Sequence, residues 1–174
     1  MGIVLNKPGR GRTVIRKTAN NNPRKGLTAR MMMKTNKEVA LPLRNIKSLR
    51  ILNMKRGSVT FRGKKHKGLK FFVKDSEKTT PRDKIKKHET LIMMQEPASS
   101  VPEGALFSDK NRNLIVSCSC EFHLYFCEYA LTHYSASFIK YSNGKPPLTT
   151  NSGLIPFTCK HVHVCLAEIL LKNI

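Results

Sequence analysis

Four side chains in this sequence have the types and spacing of a split metal clamp. They are Cys118 and Cys120 in VSCSCEF, and Cys159 and His161 in TCKHV. The pattern is C-x-C, a spacer of 38 residues, then C-x-H. Thiolate sulfur and imidazole nitrogen are the donors that zinc takes in tetrahedral sites. In an extended chain residues i and i+2 face the same way, so Cys118 and Cys120 can grip one ion. Cys159 and His161 can do the same where the backbone is not yet fully helical. Three thiolates and a neutral imidazole fill all four positions. No position is left for water, so the chemistry points to zinc as a structural ion and not as a catalyst. Two histidines compete for the fourth place: His163, two residues beyond His161, and His123, at the start of the segment that follows the first cysteine pair.

The remaining thiols read as core. Cys127 lies beside the apolar face of a predicted helix, and Cys165 lies on the apolar face of another. An odd number of cysteines, five, in a chain whose start MGIVLNKPGRGR lacks the apolar segment of an export signal favours reduced thiols over disulfides. A Cys127–His133 nucleophile pair has no activating third group. GRGR and GKKHKG lack the Gly-Lys-Ser/Thr ending of a phosphate-binding loop. The sequence therefore predicts no enzyme and no small-molecule substrate.

The elements that must position the clamp follow from periodicity. Residues 1–47 are turn-rich and polar, and predict an extended arm with one short apolar patch at Met31 to Met33. SLRILNM, SVTFRG and GLKFFVKD predict short strands joined by KRG and GKKHKG turns, with Leu69, Phe71 and Val73 on one face. TLIMMQE is a further strand candidate, and PASSVPEG is a linker. GALFSD and LIVSCSC predict a hairpin around Lys110 to Asn113. EFHLYFCEYALTHYS predicts a helix with Phe122, Tyr125, Phe126, Tyr129, Ala130 and His133 on its apolar face. A last helix is marked by Val162, Cys165, Leu166, Ile169 and Leu170. The expected fold class is α+β in three parts: a long basic N-terminal arm (1–47), a small basic antiparallel β unit (48–103) and a C-terminal zinc-stabilised module (104–174).

That module resembles the SWIM-type zinc finger, whose C-x-C and C-x-H motif maps onto Cys118, Cys120, Cys159 and His161. The resemblance implies a ββα core over residues 104–135, closed by the C-terminal helix, and a role in nucleic-acid binding or protein interaction. The spacer is longer here than the typical SWIM gap, which an inserted loop allows at small entropic cost. The insert ASFIKYSNGKPPLTTNSGLIPFTCKH is similar to a subset of SWIM-type proteins that are structural components of tailed-bacteriophage virions. It departs from that subset at Ser152, where Pro is expected, and at Phe157 and Thr158, near an expected Gly. The resemblance spans residues 104–174 and implies location in a virion, with host cytoplasm during assembly. A cytoplasmic protein is the alternative.

Charge supplies the partner class. The formal net charge of the 174 residues is +21. Residues 1–74 carry 21 Lys and Arg with a single acid, Glu38, whereas residues 75–174 carry 11 against 10 acids. A segment this basic repels itself until an anionic partner neutralises it. Arg10, Arg12, Arg16, Lys17, Arg24, Lys25, Arg30, Lys64, Lys65 and Lys67 are the candidate contacts to a DNA or RNA phosphate backbone or to neighbouring assembly proteins. No apolar run approaches the ~20 residues of a membrane span, so no membrane partner is expected. The expected function is a zinc-bound structural part of a large assembly. The alternatives are a nucleic-acid-binding accessory or regulatory zinc finger and a ribosome-associated protein.

Overall fold

The computed structural model describes residues 4–5, 15–16, 26–39, 45–75, 86–138, 151 and 153–174. Val4–Leu5 (β1) and Ile15–Arg16 (β2) pair antiparallel as a two-stranded sheet. The main sheet has five antiparallel strands in the order β3-β7-β6-β5-β4. These are Leu27–Thr28 (β3), Leu49–Phe61 (β4), Lys64–Asp75 (β5), Lys86–Met94 (β6) and Asn113–Cys118 (β7). Three α-helices are described with them: Ala29–Val39 (α1), Glu128–His133 (α2) and Lys160–Lys172 (α3). The fold is mixed α+β.

The longest element is a single hairpin where short strands were expected. β4 runs straight through the KRG stretch, and of GKKHKG only Gly63 turns, while Lys64 to Gly68 already belong to β5. The chain reverses at Arg62 and Gly63 alone, with φ of 48° and 76°. Two successive positive φ values give a turn that matches the right-handed twist of the strands, so it holds a long hairpin in register. The Arg62 guanidinium lies 5.0 Å from the Phe61 ring centroid, which offsets some of the cost of a non-glycine residue in that conformation.

Alternation along β5 is as the sequence predicts. Leu69, Phe71 and Val73 are fully buried, while Lys70, Phe72 and Lys74 face away from them. The buried face continues through Ile92, Leu114 and Val116 and is covered by Met32 of α1 and Leu166 and Ile169 of α3. Each such side chain contributes roughly 1.5–3 kcal/mol on burial. α3 forms over the predicted span, and its buried residues Val162, Cys165, Leu166 and Ile169 are those that the spacing marked.

Three expectations need correction. Residues 1–47 are not one extended arm, because 26–39 are built into the fold as β3 and α1. β3 adds to the free edge of β7, and Gly26 lets it approach: with φ of +57°, a Cβ there would run into the Asn113 side chain. The hairpin expected around Lys110 to Asn113 is also absent. Residues 104–112 form local turns, with Asp109 N bonded to Leu106 O and Arg112 N to Asp109 O, while Ser108 N reaches Ile174 O. β7 pairs instead with β6, Cys118 opposite Thr90. The boundary drawn at 103/104 thus falls between two strands of one sheet. Finally, the helix after Cys120 is turned about its axis. His123–Cys127 is a π-helical turn, which inserts an extra residue and shifts the inward stripe. His123, Cys127, Ala130 and Leu131 are buried, whereas Tyr125 is 60% exposed.

Candidate metal centre

Three elements carry the four candidate donors. Cys118 ends β7, and Cys120 sits just before the π-helical turn. Cys159 is the N-cap of α3 and His161 lies in its first turn. One donor atom from each of Cys118, Cys120, Cys159 and His161 falls within 4.8 Å of all the others, and all four residues are buried. A zinc tetrahedron with Zn–S of about 2.3 Å and Zn–N of about 2.0 Å needs these donors roughly 3.5–3.8 Å apart. The four atoms fit that figure with small closure.

The surroundings are those of thiolates. Thr90 Oγ1 donates to Cys118 Sγ (3.5 Å), His123 N to Cys120 Sγ (3.4 Å) and Val162 N to Cys159 Sγ (3.5 Å). Two of these donors are backbone N–H groups at helix starts, where the peptide dipoles favour negative charge. Each sulfur thus has one donor from outside the cluster and faces the other thiols on its inner side. Among the described residues neither ring nitrogen of His161 has a hydrogen-bond partner, although both are buried. A buried imidazole without a partner is costly unless something else takes its lone pair.

Electrostatics points the same way. Hydrogen bonds from Cys120 and then Cys159 hold the Cys118 thiol far below the usual thiol range. The bond to Cys118 pushes Cys120 up to about 12. Burial, reinforced by Cys118, holds Cys159 well above its ordinary value. The protein alone therefore stabilises one thiolate here and resists a second and third. A bound dication reverses that balance, since a coordinating thiol is deprotonated outright. Three sulfurs and one imidazole nitrogen are a donor set that suits zinc.

The competing histidines are placed elsewhere. Asn36 Nδ2 donates to His163 Nδ1 (2.9 Å) and to Thr158 Oγ1 (2.7 Å), and Thr158 N donates to Asn36 Oδ1 (2.8 Å). Burial first, then Lys37, holds His163 below the usual histidine range, which leaves Nδ1 free to accept. His163 thus serves the α1–α3 contact. Thr158 supplies a hydroxyl to the same contact that a glycine could not. His123 is buried and neutral, its pKa lowered to about 4 chiefly by burial, and its ring lies outside the four-donor cluster. Cys127 directs its thiol at Phe122 O (3.7 Å), and burial raises both it and Cys165. All five cysteines are free and buried. His133 is exposed and stands edge-on to Tyr129.

Sequence reasoning missed the residues around the clamp. Asp75, the last residue of β5, places Oδ2 3.8 Å from His161 Nε2 and 2.6 Å from Lys160 Nζ. Ser48 Oγ lies 3.0 Å from its other oxygen, and the His88 ring lies tilted against His161 with centroids 4.2 Å apart. Nothing local in NIKSL or FFVKD signals this role. Thr90 had a weak signal, a hydroxyl within an apolar strand run.

The basic candidates divide. Arg10, Arg12, Lys17, Arg24 and Lys25 lie outside the described residues, and Arg16 is described only through its backbone pairing with Val4. Arg30 is exposed at the start of α1. Lys64 and Lys65 are exposed at the hairpin tip on opposite faces, and Lys67 donates to Pro102 O at 3.0 Å. No described helix is long and apolar enough to cross a membrane. Comparison with protein-family models, with curated proteins and with solved structures finds no match for the chain. Three cysteines and a histidine around one point do not by themselves identify a SWIM domain.

Proposed function

We propose that this chain is a non-enzymatic structural component of a large assembly, in which zinc at Cys118, Cys120, Cys159 and His161 locks the end of β7 to the start of α3. The observation that supports it is a buried donor set that would fill a tetrahedral ion completely. The ion would supply a cross-link between segments far apart in sequence, and the surrounding residues do the rest. Thr90, His123 N and Val162 N orient the sulfurs, and the packed helices exclude water. In its finer form the reading is a SWIM-like module of a tailed-phage virion, whose basic segments tether it to neighbouring subunits or to nucleic acid. That form rests on the C-x-C and C-x-H motifs, the YSNGKPP insert and the charge of residues 1–74.

Two measurements test it. Elemental analysis of the purified chain should find about one zinc per chain, and Cys120→Ser should lose it. Full metal content in that variant rejects the ligand set. Mass spectrometry of purified native particles should detect the protein in fixed stoichiometry with the other components. Its absence from any particle rejects the assembly role.

A further inference from the structure

β4, β5 and β6 present a second face, opposite the one that α1 and α3 cover. Register fixes what stands there. Arg50, Lys74 and Lys87 form one cross-strand row, Asn53, Phe72 and Glu89 the next, and Lys55, Lys70 and Leu91 a third. Arg50, Asn53, Lys55, Lys87 and Glu89 are exposed, and Lys70, Phe72, Lys74 and Leu91 are half-buried. Same-face residues repeat every ~6.7 Å along a strand and strands lie ~4.8 Å apart, so five cations occupy roughly 13 by 10 Å. The single acid in the grid, Glu89, is already paired with Lys70 at 2.8 Å. Among the described residues no acid pairs with Arg50, Lys55, Lys74 or Lys87.

Folding does not explain this arrangement. Like charges directly opposite one another destabilise a sheet, and here Lys55 faces Lys70 while Lys74 stands between Arg50 and Lys87. Lysine on an edge strand guards against edge-to-edge pairing. That accounts for β4, but not for Lys70, Lys74 and Lys87 on β5 and β6. The farther half of the same face is different: Val59 and Met93 close over Gly68, and Phe61 packs on Phe138. Cations are therefore concentrated where the face is open. Phe72 holds one of them, with Lys55 Nζ 5.9 Å from its ring centroid.

We infer that this face of β4–β6 is a docking surface for a nucleic-acid phosphate backbone. Lysine is depleted at the centre of protein–protein interfaces, which are built on apolar anchors. A plane of five cations with a single acid, Glu89, among the described residues suits a polyphosphate, whose binding is driven by counterion release. The surface reads charge and carries no base-specific element. This inference deepens the tethering role proposed above and rests on it. It moves the contact from the N-terminal segment to the folded sheet.

The test uses the full zinc-loaded chain and a fluorescent 30-nucleotide DNA, single-stranded and as a duplex, titrated by anisotropy over a range of salt. Lys55→Ala/Lys70→Ala/Lys74→Ala should weaken binding at least about tenfold and reduce the salt slope by about two to three. A control removing three cations elsewhere, Arg56→Ala/Lys110→Ala/Lys172→Ala, should change affinity less than about threefold. Circular dichroism and zinc content should be unchanged in both. Wild-type affinity and slope in the first variant would overturn the inference, as would equal losses in the two variants. So would stronger binding to poly-glutamate than to DNA at equal charge. Absence of DNA binding by the wild-type chain would also overturn it, while leaving incorporation into particles to be decided separately by mass spectrometry.

Discussion

Glu128 opens α2 with its side chain 1% exposed, and among the described residues neither carboxylate oxygen has a hydrogen-bond partner. Burial pushes its pKa up to about 7. The sign follows from which state holds the proton. Between the ordinary carboxylate range and pH 7 the folded chain is protonated here while the unfolded chain is not. Stability therefore falls as pH rises through that window, and the full cost persists above it. Glu128→Gln should be more stable than wild type by about 3 kcal/mol at pH 8 and by under about 1 kcal/mol at pH 5, as read by urea unfolding. A difference independent of pH would reject this account. Asp75 illustrates a different use of a carboxylate. Its Oδ2 lies 3.8 Å from His161 Nε2, close enough to orient the imidazole after a small approach, as carboxylates do for metal-bound histidine. Asp75→Asn should weaken zinc binding about 10–100-fold in competition with a chromophoric chelator. Lys160→Met, which removes the other partner of that carboxylate, should cost less than about threefold, and equal losses would assign Asp75 a general structural role.

At the scale of elements, α1 packs part of the basic N-terminal segment, residues 29–39, against the core. Its buried face is narrow, with Ala29 and Met32 fully covered. The deciding contact is polar: Asn36, fully buried, bonds Thr158 and His163 at the start of α3. Removing one member leaves the others buried without partners, at a cost of about 1–3 kcal/mol each. Asn36→Ala should therefore destabilise the chain by about 2–4 kcal/mol and raise amide exchange in residues 26–39 before the rest of the sheet. Uniform exchange across all strands would show that α1 is not a separable unit. The periodicity of α3 and β5 was legible because each buries one regular face. The helix after Cys120 was not, because a π-helical turn changes the stripe and no local propensity announces it. Hairpin extent was misread for a related reason. The Lys-Arg-Gly and Gly-Lys-Lys stretches have turn composition, but only cross-strand pairing decides whether they turn or extend.

For the whole molecule, the proposed ion joins elements that already share a core. Cys118 belongs to the sheet, and Cys159 and His161 belong to the helix laid across it. Structural zinc sites contribute apparent binding free energies of about 10–16 kcal/mol in small peptides. Here the sheet and helices bury enough apolar surface to retain some order without the ion. Chelation should therefore lower the melting temperature by roughly 10–20 °C, corresponding to a loss of about 5 kcal/mol, and leave strand signal in circular dichroism. Complete loss of secondary structure on chelation would show that the ion carries the fold. The same sheet divides its labour by face, with the core and clamp on one side and cations on the other.

The sequence by itself marked Cys118, Cys120 and Cys159 with a nearby imidazole as candidate donors, because residue type and short spacing are local properties that zinc chemistry reads directly. It also determined α3, the buried face of β5 and the concentration of positive charge, since periodicity and composition need no knowledge of neighbours. Only the tertiary structure decided that His161 joins the cysteines while His163 turns to Asn36, because one helix start presents the two imidazoles to different surroundings. It likewise brought Asp75 and Thr90 to the clamp and gathered Arg50, Lys55, Lys70, Lys74 and Lys87 onto one face. Those groupings depend on strand register and helix docking, which couple residues through space and leave no mark on their spacing along the chain.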